Sequence, residues 1–388
     1  MSKDVKISVI VPVYNTEAYL SKCLESLMAQ KLRDIEIICV NDGSTDNSVD
    51  IIKKYILKDS RIRLIEKENG GLVSARKCGV KYADSEFVGF VDADDWVETD
   101  MYENLFEMAI RHNADMVSSG YIMEGQYISK EYDTLPEGLY ENEDRQFFLE
   151  NCIFQLPAKD LGIRGSLCCK LFKREILKEA LNMIPDTISY SEDKVSVVTF
   201  ALMAKRFYII QNAWYHYIIH NSSMTQKADF SYLTKINEVY NYLVSLYDHP
   251  DFSINMRKQV ELYITQLLIK GINTRMGFSI NNLMWIDRNW IYDIPKNSLI
   301  LVFGKGALCE TYVRQIKNSG ILKLIGCICD LKDSNKYMFD YILIAYKYKP
   351  KAEEIKKELI LEGIKEEKIL WFKQNEIFWK YAEDAGVC

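Results

Sequence analysis

At residues 87–96 the chain reads FVGFVDADDW. The apolar part of this run has the length and composition of a buried strand, and it ends in three carboxylates, Asp92, Asp94 and Asp95. Carboxylates this close together repel one another and take up protons unless a counter-charge is present. A divalent cation that also binds phosphate oxygens would supply that charge. The other interpretation is a buried strand that runs into an acidic surface turn.

Strand-like and helix-like segments alternate over the first 91 residues. Strands are predicted at 6–11, 35–40, 61–66 and 86–91, with amphipathic helices between them. This order predicts a mostly parallel sheet that is covered by helices on both faces. The first strand is expected to end at Pro12, because proline cannot donate to the ladder.

Polar turns follow three of these strands, with the sequences PVYN, NDGSTD and DADD. Ligands of such sheets bind beyond the carboxyl ends of the strands, so the turns are expected to share one rim. There Asp42 could accept from a base N–H, Tyr14 could stack on the base, and Asp92 could accept from a ribose hydroxyl. Each also suits a turn, a helix cap or simple packing.

Arg76 lies on the third predicted helix, just after the loop Asn69-Gly70-Gly71. Its guanidinium could reach a diphosphate from there, since arginine binds phosphate oxygens with two parallel N–H groups. The alternative is a solvated surface arginine.

Four ordered segments resemble glycosyltransferase family 2. They read ISVIVPVYN (7–15), VNDGSTDNS (40–48), NGGLVSARKCG (69–79) and FVDADDW (90–96). The resemblance implies a GT-A fold, a nucleoside diphosphate sugar as donor and transfer with inversion. By residue, it implies a uracil pocket of Pro12, Tyr14 and Asp42, contacts of Arg76 and Asp92 with ribose or diphosphate, and Mn²⁺ or Mg²⁺ on Asp94.

A second acidic pair, Glu192-Asp193, precedes an apolar helix predicted at 195–204. Two carboxylates at a helix N-terminus could simply be capping charges, which the helix dipole favours. The resemblance instead implies that Asp193 is the catalytic base, with Glu192 orienting the acceptor or a neighbouring loop. One base without a separate nucleophile gives a single displacement, and hence inversion.

Two of the four histidines, His216 and His220, lie in the segment WYHYIIHNSSMT at 214–225. The run 208–219 reads as a strand, which puts both histidines on one face. They are either packed or surface side chains, or part of a metal site. In related transferases this segment sometimes adds a histidine to the metal, and His220 is the better candidate.

The composition narrows the class of protein. A net charge of -6 argues against nucleic-acid binding, and the ten scattered cysteines predict free thiols in a reducing cytosol. The N-terminus lacks the pattern of a signal peptide, and no apolar run approaches the roughly 18 residues of a membrane span. The expected location is the cytoplasm, with contact at the inner face of the membrane left open.

The predicted domains are a GT-A catalytic domain at 1–225, a helical connector at 226–294 and a small Rossmann-like α/β domain at 295–388. The aromatic run at 283–292 suits either a membrane-surface anchor or an interdomain contact. In the last domain Cys309 stands where a dinucleotide-binding fingerprint has its third glycine. An accessory, homodimerising or docking role is therefore favoured over cofactor binding.

The sequence thus predicts an inverting, metal-dependent glycosyltransferase. It would move a sugar from a UDP-sugar to a hydroxyl of a glycan or lipid-linked acceptor in surface polysaccharide synthesis. A nucleotidyltransferase is one rival, but it should open with a glycine-rich basic loop rather than PVYN. The other rival is a catalytically degenerate protein that only binds nucleotide sugar or serves as a scaffold.

Overall fold

A computed structural model describes residues 5–125, 128–155, 160–219, 231–274, 291, 294–305, 307–346 and 349–372. The chain divides into two compact units, residues 1–268 and residues 269–388. His220 and nearly all of the aromatic run at 283–292 lie outside the described residues.

The first unit is built on a large mixed sheet. Within the described residues, its strands and one small separate hairpin (β9 and β10) are β1 (Ile7–Val13), β2 (Ile35–Asp42), β3 (Ile62–Lys67), β4 (Phe87–Phe90), β5 (Trp96–Val97), β6 (Met116–Glu124), β7 (Ile128–Glu131), β8 (Gly138–Tyr140), β9 (Phe154–Gln155), β10 (Asp160–Leu161), β11 (Lys170–Lys173) and β12 (Phe207–Ile218).

Helices cover this sheet. Those up to residue 274 are α1 (Leu20–Met28), α2 (Ser48–Ile56), α3 (Gly71–Tyr82), α4 (Met101–Arg111), α5 (Glu143–Leu149), α6 (Arg174–Met183), α7 (Glu192–Met203), α8 (Tyr232–Ser245) and α9 (Ile254–Thr274). In the described part of the chain, no helix is long and apolar enough to cross a membrane.

The strand order is β3-β2-β1-β4-β11-β6-β12-β5, with β7 beside β6 and β8 beside β12. The first four strands are parallel, as predicted, and every residue of β1 and β2 is buried. The sequence did not reveal β11, a four-residue strand that runs antiparallel between β4 and β6. It leads directly into α6, and so short a segment carries no period of its own.

The prediction that Pro12 ends the first strand is wrong, because β1 continues to Val13 and Pro12 pairs with Val40. Alternate residues of a parallel strand bond to opposite neighbours. Ile10 faces β4, since its carbonyl accepts from the Val91 amide at 3.0 Å, so Pro12 faces the same side. Pairing with β4 stops at Ile10, and the missing N–H of Pro12 therefore breaks no ladder bond there.

α3 packs very close to the sheet at Gly79. A Cβ atom on Gly79 would collide with the Ile10 side chain of β1, so only glycine allows this approach. One helical turn earlier, the Arg76 guanidinium lies over the ring of Phe90, the last residue of β4.

α8 and the start of α9 belong to the first unit. The Gln259 side chain on α9 accepts from the amides of Ile153 and Phe154 at 3.2 and 3.1 Å, and the Tyr232 hydroxyl on α8 donates to the Leu267 carbonyl at 2.7 Å. Tyr232, Gln259 and Leu267 lie within the predicted connector, whose limits at 226 and 294 remain a prediction.

The second unit has its own elements, β13 (Leu299–Phe303), α10 (Ala307–Ser319), β14 (Lys323–Ile328), β15 (Tyr341–Ile344), α11 (Lys349–Leu361) and β16 (Ile369–Leu370). Its four strands form a parallel sheet in the order β14-β13-β15-β16. Val302 faces a cluster with Tyr312 of α10, and Leu301 faces a cluster with Ile355 of α11, so helices cover both faces of the sheet as predicted.

Candidate active site

The first two polar turns lie side by side, as predicted from the parallel sheet. The Asn15 amide donates to Ser44 Oγ at 3.1 Å, and the Thr45 amide donates to Asn15 Oδ1 at 2.8 Å. Pro12 is buried, whereas the Tyr14 side chain is half exposed at the same end of β1. An exposed ring beside a polar turn is available for stacking.

Asp42 is buried at the end of β2, and its carboxylate faces the N-terminus of α3. Its two oxygens accept from the amides of Gly70 and Gly71 at 3.0 and 2.8 Å, and Lys67 Nζ donates to Oδ1. Asp42 therefore caps α3, which is the alternative that the sequence left open. Its contact with a base remains a prediction.

Arg76 is only 1% exposed, which excludes the solvated surface arginine. Its Nη1 forms an ion pair with Asp193, its Nη2 lies 3.3 Å from Asp92 Oδ1, and Glu192 Oε1 is 3.7 Å from Nη1. The guanidinium also lies over the Phe90 ring, 5.7 Å from its centroid. Despite its burial, the carboxylates of Asp193 and Asp92 hold the pKa of Arg76 above its usual range.

Glu192 and Asp193 begin α7, and Asp193 contacts Nη1 of Arg76 whereas Asp92 contacts Nη2. Burial and the neighbouring Asp193 raise the pKa of Glu192 to about 7. Burial also raises the pKa of Asp193, and the Arg76 guanidinium opposes that rise. The Leu167 amide donates to Asp193 Oδ2 at 3.4 Å. The two carboxylates therefore contact residues outside α7, Arg76 and Leu167, in addition to lying at the N-terminus of the helix.

Two buried lysines, which the sequence analysis did not single out, hold the loop that carries Leu167. Lys170 Nζ donates to the carbonyls of Arg164 and Ser166 at 2.8 and 2.7 Å, and Lys194 Nζ donates to that of Ile163 at 2.8 Å. Burial lowers the pKa of Lys194 to about 8. Lys194 directly follows Glu192-Asp193 in the sequence, and this position next to the acidic pair is the feature by which the sequence could have indicated it.

The acidic turn after β4 is fastened to β12. The Tyr215 hydroxyl donates to Asp95 Oδ2 at 2.5 Å and accepts from the Asp92 amide at 3.2 Å, while the Ile218 amide donates to Asp95 Oδ1 at 2.8 Å. Burial and the charges of Asp92 and Asp94 raise the pKa of Asp95 to about 8. Asp95 thus positions the turn.

His216 lies against Trp96, Glu98 and Glu124. Its ring stacks on Trp96 with centroids 3.5 Å apart, and its nitrogens lie 2.6 Å from Glu124 Oε1 and 3.0 Å from Glu98 Oε1. It is therefore a packed histidine. Across the described residues, no group of three His, Cys, Asp or Glu side chains is arranged to hold a metal ion.

The structure thus brings together Arg76, Asp92, Glu192 and Asp193 in one cluster. Up to 117 positions separate these side chains in the sequence. A buried cation among carboxylates, two of which have raised pKa values, is typical of a functional site.

Comparisons with known proteins bear on the family and the fold of the chain. The sequence profile of Glycosyl transferase family 2 matches residues 8–181. The uncharacterized glycosyltransferase EpsJ of Bacillus subtilis (strain 168) is 31% identical over 260 residues, which cover 66% of this chain and 74% of EpsJ. The poly(ribitol-phosphate) beta-N-acetylglucosaminyltransferase TarP of Staphylococcus aureus (strain N315) is 26% identical over 336 residues, covering 81% of this chain and 93% of TarP.

Among solved structures, S. aureus TarS residues 1–349 in complex with UDP-GlcNAc superposes with a TM-score of 0.52 at 21% identity, covering 74% of this chain and 79% of that one. This likeness confirms the predicted GT-A fold. Coverage of curated relatives varies, since the chain spans 23% of the length of one and 63% of another. From the identity and coverage of EpsJ and from the family profile, we conclude that the chain belongs to glycosyltransferase family 2.

Proposed function

We propose that this protein is an inverting glycosyltransferase that transfers a sugar from a UDP-sugar to a hydroxyl of a glycan or lipid-linked acceptor. The observation that carries the proposal is the buried Arg76, which lies between Asp92 of the acidic turn and Asp193 of α7. Arg76 thereby fixes the distance between Asp92, which is proposed to contact the nucleotide, and Asp193, the candidate base.

Three residues of the cluster, Asp193, Arg76 and Glu192, have roles in the transfer step. Asp193 accepts the proton of the acceptor hydroxyl as that oxygen attacks the anomeric carbon, and the bond to the diphosphate breaks on the opposite face. Arg76 favours the ionised form of Asp193, which is the form that can act as a base. Glu192 orients the acceptor beside it.

The acidic turn suits a divalent cation in its donor type. Asp92 and Asp94 supply carboxylate oxygens, the donors that Mg²⁺ and Mn²⁺ prefer, and after burial the charges of these two carboxylates are the next causes of the raised pKa of Asp95. When bound, the cation would offset the charge of the leaving diphosphate. Asp94 is the proposed ligand, and His220 remains a prediction outside the described residues.

The donor and acceptor classes draw on the relatives. TarS was solved with UDP-GlcNAc, and TarP is by name a poly(ribitol-phosphate) beta-N-acetylglucosaminyltransferase. A UDP-hexose or UDP-N-acetylhexosamine donor and a surface polymer acceptor follow by analogy. Cytoplasmic location, contact with the membrane and homodimerisation remain predictions.

The Asp193→Asn variant tests the proposed base. Transfer and hydrolysis are measured with a panel of UDP-sugars and Mn²⁺, and UDP affinity is measured by calorimetry. We expect the variant to lose activity by about 10³-fold or more because the proton acceptor is removed, and to keep UDP binding because the residues proposed to hold the nucleotide are unchanged. Asp186→Asn is the matched control, since Asp186 pairs with Lys77 on the surface.

The same assay separates the rival functions. Wild-type turnover in Asp193→Asn would refute the role of the base. If the wild type binds UDP but turns over no donor with any divalent cation, the nucleotide-sugar-binding module is the better description. Asp94→Asn should weaken Mn²⁺ binding in the presence of UDP, and an unchanged affinity would refute the metal assignment.

A further inference from the structure

The backbone is strained immediately before the acidic pair. Ser191, the residue that precedes α7, has a φ of 57°, in the left-handed region that residues other than glycine rarely adopt. Such a conformation persists only where its surroundings impose it. The Ser191 carbonyl accepts from the Val195 amide at 3.1 Å, so this residue sets the first turn of α7. Glu192 and Asp193 lie in that turn.

One side chain of α9 reaches this strained residue. The Tyr263 hydroxyl shares a hydrogen bond with Ser191 Oγ, 72 positions away in the sequence. Tyr263 is 7% exposed, and its ring packs against Phe154 with centroids 6.3 Å apart. Burial raises the pKa of its hydroxyl above the usual range, so that it stays protonated and able to donate. One turn earlier on α9, Gln259 fixes the helix to the Phe154 amide.

We propose that Tyr263 is a positioning residue for glycosyl transfer. Through Ser191 it fixes the direction in which α7 begins, and thereby the direction in which Asp193 presents its carboxylate to the acceptor hydroxyl. The inference rests on the proposed function, with Asp193 as base. Tyr263 acts through Ser191 rather than on substrate, so it affects the rate of transfer and not the binding of the donor.

Tyr263→Phe in the full chain tests this role by steady-state kinetics. We expect kcat to fall about tenfold, the loss that one misplaced hydrogen bond produces, with an unchanged KM for the donor. Tyr242→Phe is the matched control, because the Tyr242 hydroxyl on α8 bonds to Thr199 Oγ1, also on α7, at 3.0 Å but farther from the carboxylates. Its kcat should stay within about twofold of the wild type.

A double-mutant cycle tests the route through Ser191. Ser191→Gly removes the hydroxyl but adopts the left-handed conformation freely, whereas Ser191→Ala removes the hydroxyl and disfavours that conformation. We therefore expect kcat to fall further in Ser191→Ala than in Ser191→Gly. Adding Tyr263→Phe to Ser191→Gly should cause no further loss, since the partner of the tyrosine is already absent. An equal further loss would overturn the proposed route.

Hydrogen exchange gives a readout that does not depend on turnover. The Val195 amide should exchange faster in Tyr263→Phe than in the wild type, because it donates to the residue that Tyr263 holds. Wild-type kcat together with wild-type exchange at Val195 would overturn the inference. Activity retained by Asp193→Asn would refute the role of Asp193 as base, and with it the effect of Tyr263 on transfer through Asp193, whereas exchange at Val195 would still decide whether Tyr263 fixes α7.

Discussion

Arg76 is a single cation placed among three carboxylates. Its fork geometry lets Nη1 face Asp193 while Nη2 faces Asp92, which a lysine ammonium cannot reproduce. Its Nε is buried and has no hydrogen-bond partner among the residues that the structure describes, so the site favours these two contacts over full satisfaction of the guanidinium. The residue therefore serves the arrangement of the carboxylates as much as the stability of the fold.

Replacing Arg76 should affect both activity and stability. Arg76→Met leaves buried carboxylates without their cation, and we expect the free energy of unfolding to fall by about 3–5 kcal/mol. Arg76→Lys should fold but lose about 100-fold in kcat, since the two carboxylates are no longer held together. Urea unfolding and steady-state kinetics measure these effects.

Arg63→Lys is the control for this pair. Arg63 also faces two carboxylates, Glu36 at 2.6 Å and Asp84 at 3.1 Å, but its side chain is 42% exposed. Its replacement should change the free energy of unfolding by less than about 1 kcal/mol. Equal effects at positions 63 and 76 would contradict the special role of the buried arginine.

Glu192 predicts a pH dependence of stability. Its pKa is about 7 in the folded chain and near its ordinary value of 4.5 when unfolded. Between these values the folded state keeps a proton that the unfolded state has released, so stability falls as pH rises from about 4.5 to about 7. Glu192→Gln removes this titration, and the Tm of the variant relative to wild type should be higher at pH 8 than at pH 5.

Thermal unfolding at both pH values measures that difference. Glu107→Gln is the control, because Glu107 pairs with Arg111 on the surface and should leave the two curves parallel. A constant gap between Glu192→Gln and wild type would mean that Glu192 ionises normally in the folded protein.

At the scale of residues, the sequence identified most of the candidate site residues but not the contacts between them. Asp92, Asp193 and Arg76 were identified from motifs, since each motif is continuous in the sequence. That Arg76 contacts Asp193 directly, 117 positions away, depends on how α3 and α7 pack. Likewise, nothing local indicates that Asp42 caps α3 or that Asp95 accepts from Tyr215.

At the scale of elements, β12 is the support of the acidic turn. The Tyr215 hydroxyl links the Asp92 amide to the Asp95 carboxylate, and the Ile218 amide holds the other oxygen of Asp95. The turn is thus fastened to the strand end that leads toward His220. A displacement of this strand would be transmitted directly to Asp92.

Tyr215→Phe should therefore weaken nucleotide binding by the acidic turn. Asp95 is largely protonated at neutral pH, so removing its hydrogen bond to Tyr215 costs about 0.5–1.5 kcal/mol, which should appear as an affinity for UDP and Mn²⁺ lowered by up to about tenfold. Calorimetric titration measures it. Tyr140→Phe is the control, since that buried hydroxyl on β8 donates to the Pro136 carbonyl at 2.8 Å. Equal affinity in Tyr215→Phe and wild type would refute the coupling.

Elements with a clear period were predicted well, and those defined by their neighbours were not. The parallel strands β1 to β4 and the small sheet of the second unit were predicted because strand-like and helix-like segments alternate along the chain. β11 was missed because four residues carry no period, and Pro12 was misjudged because its tolerance depends on where β4 stops pairing. α9 was predicted as a helix, but its contact with Ser191 was not.

At the scale of the whole molecule, two cores are formed by separate sets of side chains. In the first unit they gather around β1, β2 and β4, and in the second around β13 and β15. Every candidate site residue among those described belongs to the first unit. A ligand of the proposed site should therefore stabilise the first unit directly.

Calorimetric unfolding of the full chain with UDP and Mn²⁺ tests this division. We expect two transitions, and ligand at about 100 times its Kd should stabilise one of them by about 2.7 kcal/mol. Ile342→Ala, at a fully buried position of β15, should lower the other by about 2–5 kcal/mol because it leaves a cavity in the second core. A single transition that responds to both changes would mean that the two cores unfold as one cooperative unit.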